Sequence, residues 1–99
     1  MAVATLKLVT VVAEPVLEDA ITKDLRSLGA TGFTITEGRG EGSRGLHAGD
    51  VPGQNVRIET IVRPEAATRI LAMIAERFFA HYSVVAWAQD VDVVRGDKF

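Results

Sequence analysis

The chain has 99 residues, of which 47% are hydrophobic and 24% charged, with a formal net charge of −2. One globular domain spanning residues 1–99 is the natural reading of that length, and a domain so small buries only roughly 60–65% of its unfolded surface, so oligomerisation would add needed stability. The near-neutral charge gives no general attraction to nucleic acid or to an anionic membrane, and the absence of cysteine excludes disulfides, thiolate chemistry and cysteine-based metal centres.

The N-terminus runs directly into strand-like sequence without the pattern of a signal peptide, and no apolar run approaches the ~20 residues of a membrane span, so a cytoplasmic protein is expected. Leu6 to Val12 is rich in β-branched residues and apolar on both faces, which predicts a first strand. Pro15 suits a first helical position, and Leu17, Ala20, Ile21, Leu25 and Leu28 recur at helical spacing up to Gly29. A helix over about 14–28 is predicted. Phe33 and Ile35 alternate with Thr34 and Thr36, a second strand ending at Glu37.

From Gly38 to Gly53 the pattern stops, and six of the nine glycines fall there. Periodicity returns with Val56, Ile58 and Val62, a third strand beginning at Gln54. Pro64 opens a second helix whose apolar stripe is Ala67, Ile70, Leu71, Ile74, Ala75 and Phe78. After His81, the run from Val84 to Val94 reads as a fourth strand that could bend near Gln89.

The order β-α-β-loop-β-α-β predicts an α+β, ferredoxin-like fold: a four-stranded antiparallel sheet with two helices on one face. The other face is left open. Val9, Val11 and Ile61 are expected among its apolar residues, which makes it a candidate protein interface.

The segment Glu37-Gly38-Arg39-Gly40-Glu41-Gly42-Ser43-Arg44-Gly45 is the most unusual in the chain. Glycines let successive backbone N–H groups converge on one anion, Ser43 can donate a hydroxyl, and Arg39 and Arg44 offer guanidinium forks for phosphate or carboxylate. A flexible hairpin connection with solvated charges is the competing reading. The segment lacks the Gly-Lys-Ser/Thr ending of a phosphate-binding P-loop, and it leads into a strand rather than the helix of a dinucleotide fingerprint.

No spacing of His47, His81 and carboxylates suggests a metal site, and Trp87 is read as core or subunit packing. Glu37 and Glu41 lack the held base, nucleophile or metal that catalysis requires, so no catalytic residue and no enzymatic activity is assigned.

On the element order, the Gly32-Phe33-Thr34-Ile35 strand, the Gly-x-Gly-Ser-Arg run at Gly40 to Arg44 and the Arg57-Ile58-Glu59 strand, the chain resembles the PII-like signalling proteins over about Leu6 to Gly96. The likeness is greatest to the SbtB-like and carboxysome-associated branch. The resemblance implies a homotrimer with adenine-nucleotide sites between neighbours, and a ligand-responsive T-loop at about 38–53 that docks on a target. AMP, ADP, ATP and cyclic AMP are the ligands it implies, with bicarbonate joining ADP or AMP in the carboxysome-associated members. They are regulatory ligands rather than cofactors. Bicarbonate transporters or other carbon-uptake proteins are the implied targets, with membrane association only through such a transporter.

Residue by residue, the resemblance assigns Thr34 to the adenine or ribose pocket. Gly40, Gly42, Ser43 and Arg44 would contact phosphate, and Glu59 would lie near the adenine. Tyr82, Ser83 and Val84 would close the base pocket from the side, and Arg95 would reach a phosphate across the subunit boundary. Arg39, Glu41, Gly45 and His47 would form the partner-binding loop.

The T-loop of nitrogen-regulatory PII proteins carries a modifiable tyrosine, whereas the single tyrosine here is Tyr82, outside the loop. Their glycine- and lysine-rich phosphate loop before the last strand is replaced by Phe79-Ala80-His81-Tyr82. A nitrogen-regulatory sensor, a CutA-like structural or metal-tolerance trimer and a slow nucleotide phosphatase remain the alternatives.

Overall fold

The computed structural model describes residues 3–40 and 53–99. Strand β1 (Val3–Ala13) is followed by a single 3-10 turn at Pro15–Leu17 and helix α1 (Glu18–Ser27). Strands β2 (Thr34–Arg39) and β3 (Gln54–Val62) lead to helix α2 (Pro64–Phe78), strand β4 (Val84–Val94) and a closing 3-10 turn at Gly96–Lys98. The sheet order is β2-β3-β1-β4, with every pairing antiparallel. This is the ferredoxin-like plan the element order predicts.

Local chemistry explains where elements start and stop. Pro15 opens its 3-10 turn after Glu14 in extended conformation, so the missing proline N–H breaks no bond. That tight turn occupies the beginning of the span predicted as helix, and α1 proper begins at Glu18. It ends as Gly29 takes a φ of 102° and the Ala30 N–H reaches back to the Leu25 carbonyl at 3.0 Å. Bonds of this kind satisfy carbonyls that the last turn would leave open. The Arg77 guanidinium on α2 donates to the Asp24 carboxylate on α1 and ties the helices together.

Val9, Val11, Val56, Ile58 and Val62 of the sheet meet Ile21 and Leu25 of α1 and Ile70, Ile74 and Phe78 of α2 in one buried cluster. Val9 and Val11 therefore face the helices, each 1% exposed, and not the open face expected of them. β1 is apolar on both sides, so alternation alone could not orient it. Its register does, because Val11 stands opposite Ile58 and Val9 opposite Thr60. Ile61 lies opposite Leu8 on the open face, as expected.

Two boundaries and one expected bend also differ from expectation. β1 begins at Val3 because its first residues pair with β4 alone, from Val3↔Val94 to Leu6↔Val91, in a two-stranded extension beyond β3. β4 passes Gln89 in unbroken register with β1, without a bend. β2 continues through Gly38↔Asn55 to Arg39↔Gln54, so the ladder runs two residues into the glycine-rich segment. Among the described residues, no helix is long and apolar enough to cross a membrane.

Gly29→Ala should cost about 1–2 kcal/mol, because nothing lies within 4 Å of an added Cβ and the whole penalty is the left-handed φ. Ile74→Ala, at 0% exposure between helix and sheet, should cost about 2–5 kcal/mol. Denaturant midpoints at a fixed protein concentration check both.

Candidate functional site

The pleat sends alternate β3 residues to opposite sides. Val56, Ile58, Thr60 and Val62 are buried, and Asn55, Arg57, Glu59 and Ile61 stand on the open face. Facing them on β2 are Gly38 opposite Asn55, Thr36 opposite Arg57 and Thr34 opposite Glu59. A polar row thus runs down the open face from the root of the glycine-rich loop to the start of β2.

At the upper end of this row lies the loop root. The Gly40 N–H donates to the Gly53 carbonyl at 2.8 Å, and Gly53 has a φ of 81°. The Asn55 side chain lies against both Gly38 and Gly40. A Cβ on Gly38 would stand 2.7 Å from Asn55 Oδ1, and one on Gly40 would stand 3.0 Å from Asn55 Nδ2. Sequence reasoning missed Asn55. The signal was the spacing of two between the glycines, which in a strand clears one side for a neighbour's side chain.

At the lower end is a cleft of about 380 Å³. Leu8, Phe33, Ile61 and Phe99 give it apolar walls, and Thr34, Glu59 and Lys98 give it polar groups. Arg26 braces Phe33 with its guanidinium 4.8 Å over the ring, and the Thr60 hydroxyl donates to the Gly32 carbonyl at 2.6 Å. Those contacts fix the Gly32–Phe33 segment that forms one rim. The C-terminal segment forms another: Arg95, at a φ of 73°, reverses the chain, and Arg63 donates to the Phe99 main-chain oxygen at 2.5 Å. Lys98 and Phe99 escape sequence reasoning, since the tail has no periodicity.

The structure therefore brings Thr34 and Glu59 together at the cleft, with Gly40 at the other end of the row; Arg39, paired with Gln54, has the opposite parity and belongs to the other face of the sheet. Tyr82, Ser83 and Val84 lie elsewhere in the chain. Val84 is level with Ala13 and Val56, three strands from β2, so about 14 Å across the sheet and about 10 Å along it separate this segment from Thr34. The Ser83 N–H donates to Glu14 Oε2 at 2.6 Å, and Tyr82 packs edge-on against Phe78 with centroids 6.2 Å apart. Arg95 is exposed at the far end of β4. Glu41, Gly42, Ser43, Arg44, Gly45 and His47 lie outside the described residues. Among the described residues no group of three potential metal ligands occurs.

The model of the family described as "Nitrogen regulatory protein P-II" matches residues 6–98. The chain belongs to the PII family. A PII-like signalling protein from Thermus thermophilus is 52% identical, with a TM-score of 0.87 over 100% of this chain and 99% of that one. CPII from Thiomonas intermedia, solved with ADP, AMP and acetate, is 26% identical, with a TM-score of 0.83 over 100% of this chain and 98% of that one. CPII solved with ADP and bicarbonate is 27% identical, with a TM-score of 0.83 over 99% of this chain and 97% of that one. No curated protein matches the chain. PII membership accounts for the helix-backed sheet and makes signalling, not catalysis, the family's occupation.

The root contact can be tested by a double-mutant cycle. Gly38→Ala pushes on the flexible end of Asn55 rather than on backbone, so it should cost less than about 1 kcal/mol. With Asn55→Ala as background, the same change should cost less still, giving a coupling of at least about 0.5 kcal/mol in denaturant unfolding.

Proposed function

We propose that this PII protein is a signal-transduction module that binds adenine nucleotides, AMP, ADP or ATP and also cyclic AMP, between the subunits of a homotrimer. Bicarbonate serves as a second ligand. The occupied site alters the T-loop at 38–53 and so regulates inorganic-carbon uptake through a transporter or another carbon-uptake protein. A cytoplasmic location, with access to a transporter or a carboxysome, belongs to the same reading.

The observation that carries this proposal is the cleft at Thr34 and Glu59. Its volume of about 380 Å³ falls in the range of small-ligand pockets, and apolar walls with a few polar groups suit a flat base with hydroxyls attached. The distance between Thr34 and the Tyr82–Val84 segment supports the subunit boundary. If both touch one ligand, a second chain must supply one of them. Glu59 and Leu8 of the cleft share the open face with the exposed Trp87, and a second copy packing on that face would adjoin the cleft. CPII bound with ADP, AMP and bicarbonate supports the ligand class. The absence of a tyrosine from residues 38–53 favours this reading over a nitrogen-regulatory sensor.

Calorimetry with AMP, ADP, ATP and cyclic AMP should show saturable binding by at least one of them. Silence from all four at millimolar concentration removes the nucleotide reading. Arg44→Ala should weaken ADP on the order of tenfold or more, the worth of a charge-assisted phosphate contact, and leave adenosine nearly unchanged. Equal losses for both would show that Arg44 does not hold phosphate. Light scattering should give the mass of three chains.

A further inference from the structure

A line of side chains leaves the cleft and crosses the open face. Glu59 lines the cleft, and its Oε1 lies 3.6 Å from Arg57 Nε. The Arg57 guanidinium in turn lies 5.5 Å from the centroid of Trp87 on β4. β1 runs between β3 and β4, and its Thr10 is paired in register with both Glu59 and Trp87. Arg57 therefore spans a strand to join the cleft's carboxylate to the molecule's single tryptophan.

Neither end of this bridge is locked. A separation of 3.6 Å is an ion-pair distance rather than a good hydrogen bond, and the two side chains are 46% and 29% exposed. A carboxylate can accept from several donors, so Glu59 has capacity left for a ligand. A guanidinium can both face a carboxylate and stack on an indole, and a change at one partner alters its position over the other.

We propose that Arg57 is a positioning residue that reports occupancy of the cleft to the open face of the sheet. A ligand hydroxyl or ring amine donating to Glu59 loosens the carboxylate's hold on Arg57, and the guanidinium shifts over Trp87. The inference rests on the nucleotide reading of the cleft and adds a route by which the ligand alters the face away from the helices. Trp87 is 36% exposed and Val85, two residues back on the same side of β4, is 52% exposed, so this route ends at surface and not in the core.

The test pairs ADP calorimetry with Trp87 fluorescence on the full chain. Wild-type protein should bind ADP and show a fluorescence change that saturates with the same midpoint. Arg57→Gln should keep its ADP affinity within about threefold, as removal of an exposed ion pair allows, yet lose the fluorescence change. Arg57→Lys retains charge without the planar fork, so it should keep affinity and show a diminished change. It carries the test if Arg57→Gln fails to fold.

A full fluorescence change in the substituted protein, or a silent Trp87 in wild-type protein that calorimetry shows to bind ADP, overturns the role of Arg57 and leaves the nucleotide reading standing. A loss of affinity on the order of tenfold or more makes Arg57 a ligand contact and also overturns the proposal. Absence of binding heat in the wild-type protein removes the nucleotide reading and this inference together.

Discussion

The two-residue pleat of β3 is the constraint on which the site depends. It puts Val56, Ile58, Thr60 and Val62 under the helices and leaves Asn55, Arg57, Glu59 and Ile61 on the other side. β3 is paired on both edges, to β1 through Val11↔Ile58 and to β2 through Thr34↔Glu59. A slip of one residue would carry Arg57 and Glu59 into the core and Ile58 to the surface. Burying two charges is so costly that the register is strongly specified. The row from Asn55 to Glu59 thus inherits its geometry from hydrophobic burial. Thr34 and Glu59, the polar groups of the cleft wall that lie on strands, are held by that pairing.

This dependence explains what could be read in the sequence and what could not. Each α-helix and strand was legible, because β3 and α2 have clean periods of two and 3.6. β1 was legible as a strand but not as an oriented one. Val9, Val11 and Val12 are alike in chemistry, and only pairing with Ile58 and Thr60 decides which of them faces the helices. Family resemblance assigns Thr34 and Glu59 to a binding site, the structure places both at the cleft, and their adjacency is a property of register. Asn55 and Lys98 were not legible. One is a polar residue near a strand's end, and the other sits on a tail that reaches the cleft only because Arg95 reverses the chain.

The division of the assigned residues has a physical reading as well. Gly40 sits at one end of the polar row, with Arg39 beside it on the other face, Thr34 and Glu59 at the opposite end, and Tyr82–Val84 at the opposite margin of the sheet. The strands that hold them are rigidly paired, so no local rearrangement of one chain closes that gap. In the proposed trimer, assembly would do what flexibility cannot. For a domain of this size, a site completed by a second chain also links ligand binding to oligomer stability, because a ligand that touches two subunits favours the state in which they are together.

The open face carries its own argument about how such an assembly would fit. Thr10 is 0% exposed, and its Oγ1 meets no hydrogen-bond partner among the described residues. A buried hydroxyl in that state costs about 1–3 kcal/mol, and a dry apolar cover would leave the cost in place. Because its own chain already covers Thr10 fully, that cost belongs to the single chain and does not depend on what packs over the face. Packing a second copy on this face would carry each chain's Arg57 into or beside the contact. Each Arg57 has its own Glu59 beside it, so the pair adds no net charge there. The same ion pair that leaves Glu59 available to a ligand thereby makes the face tolerable to a second copy of itself, and weakening it from the cleft would be felt at both.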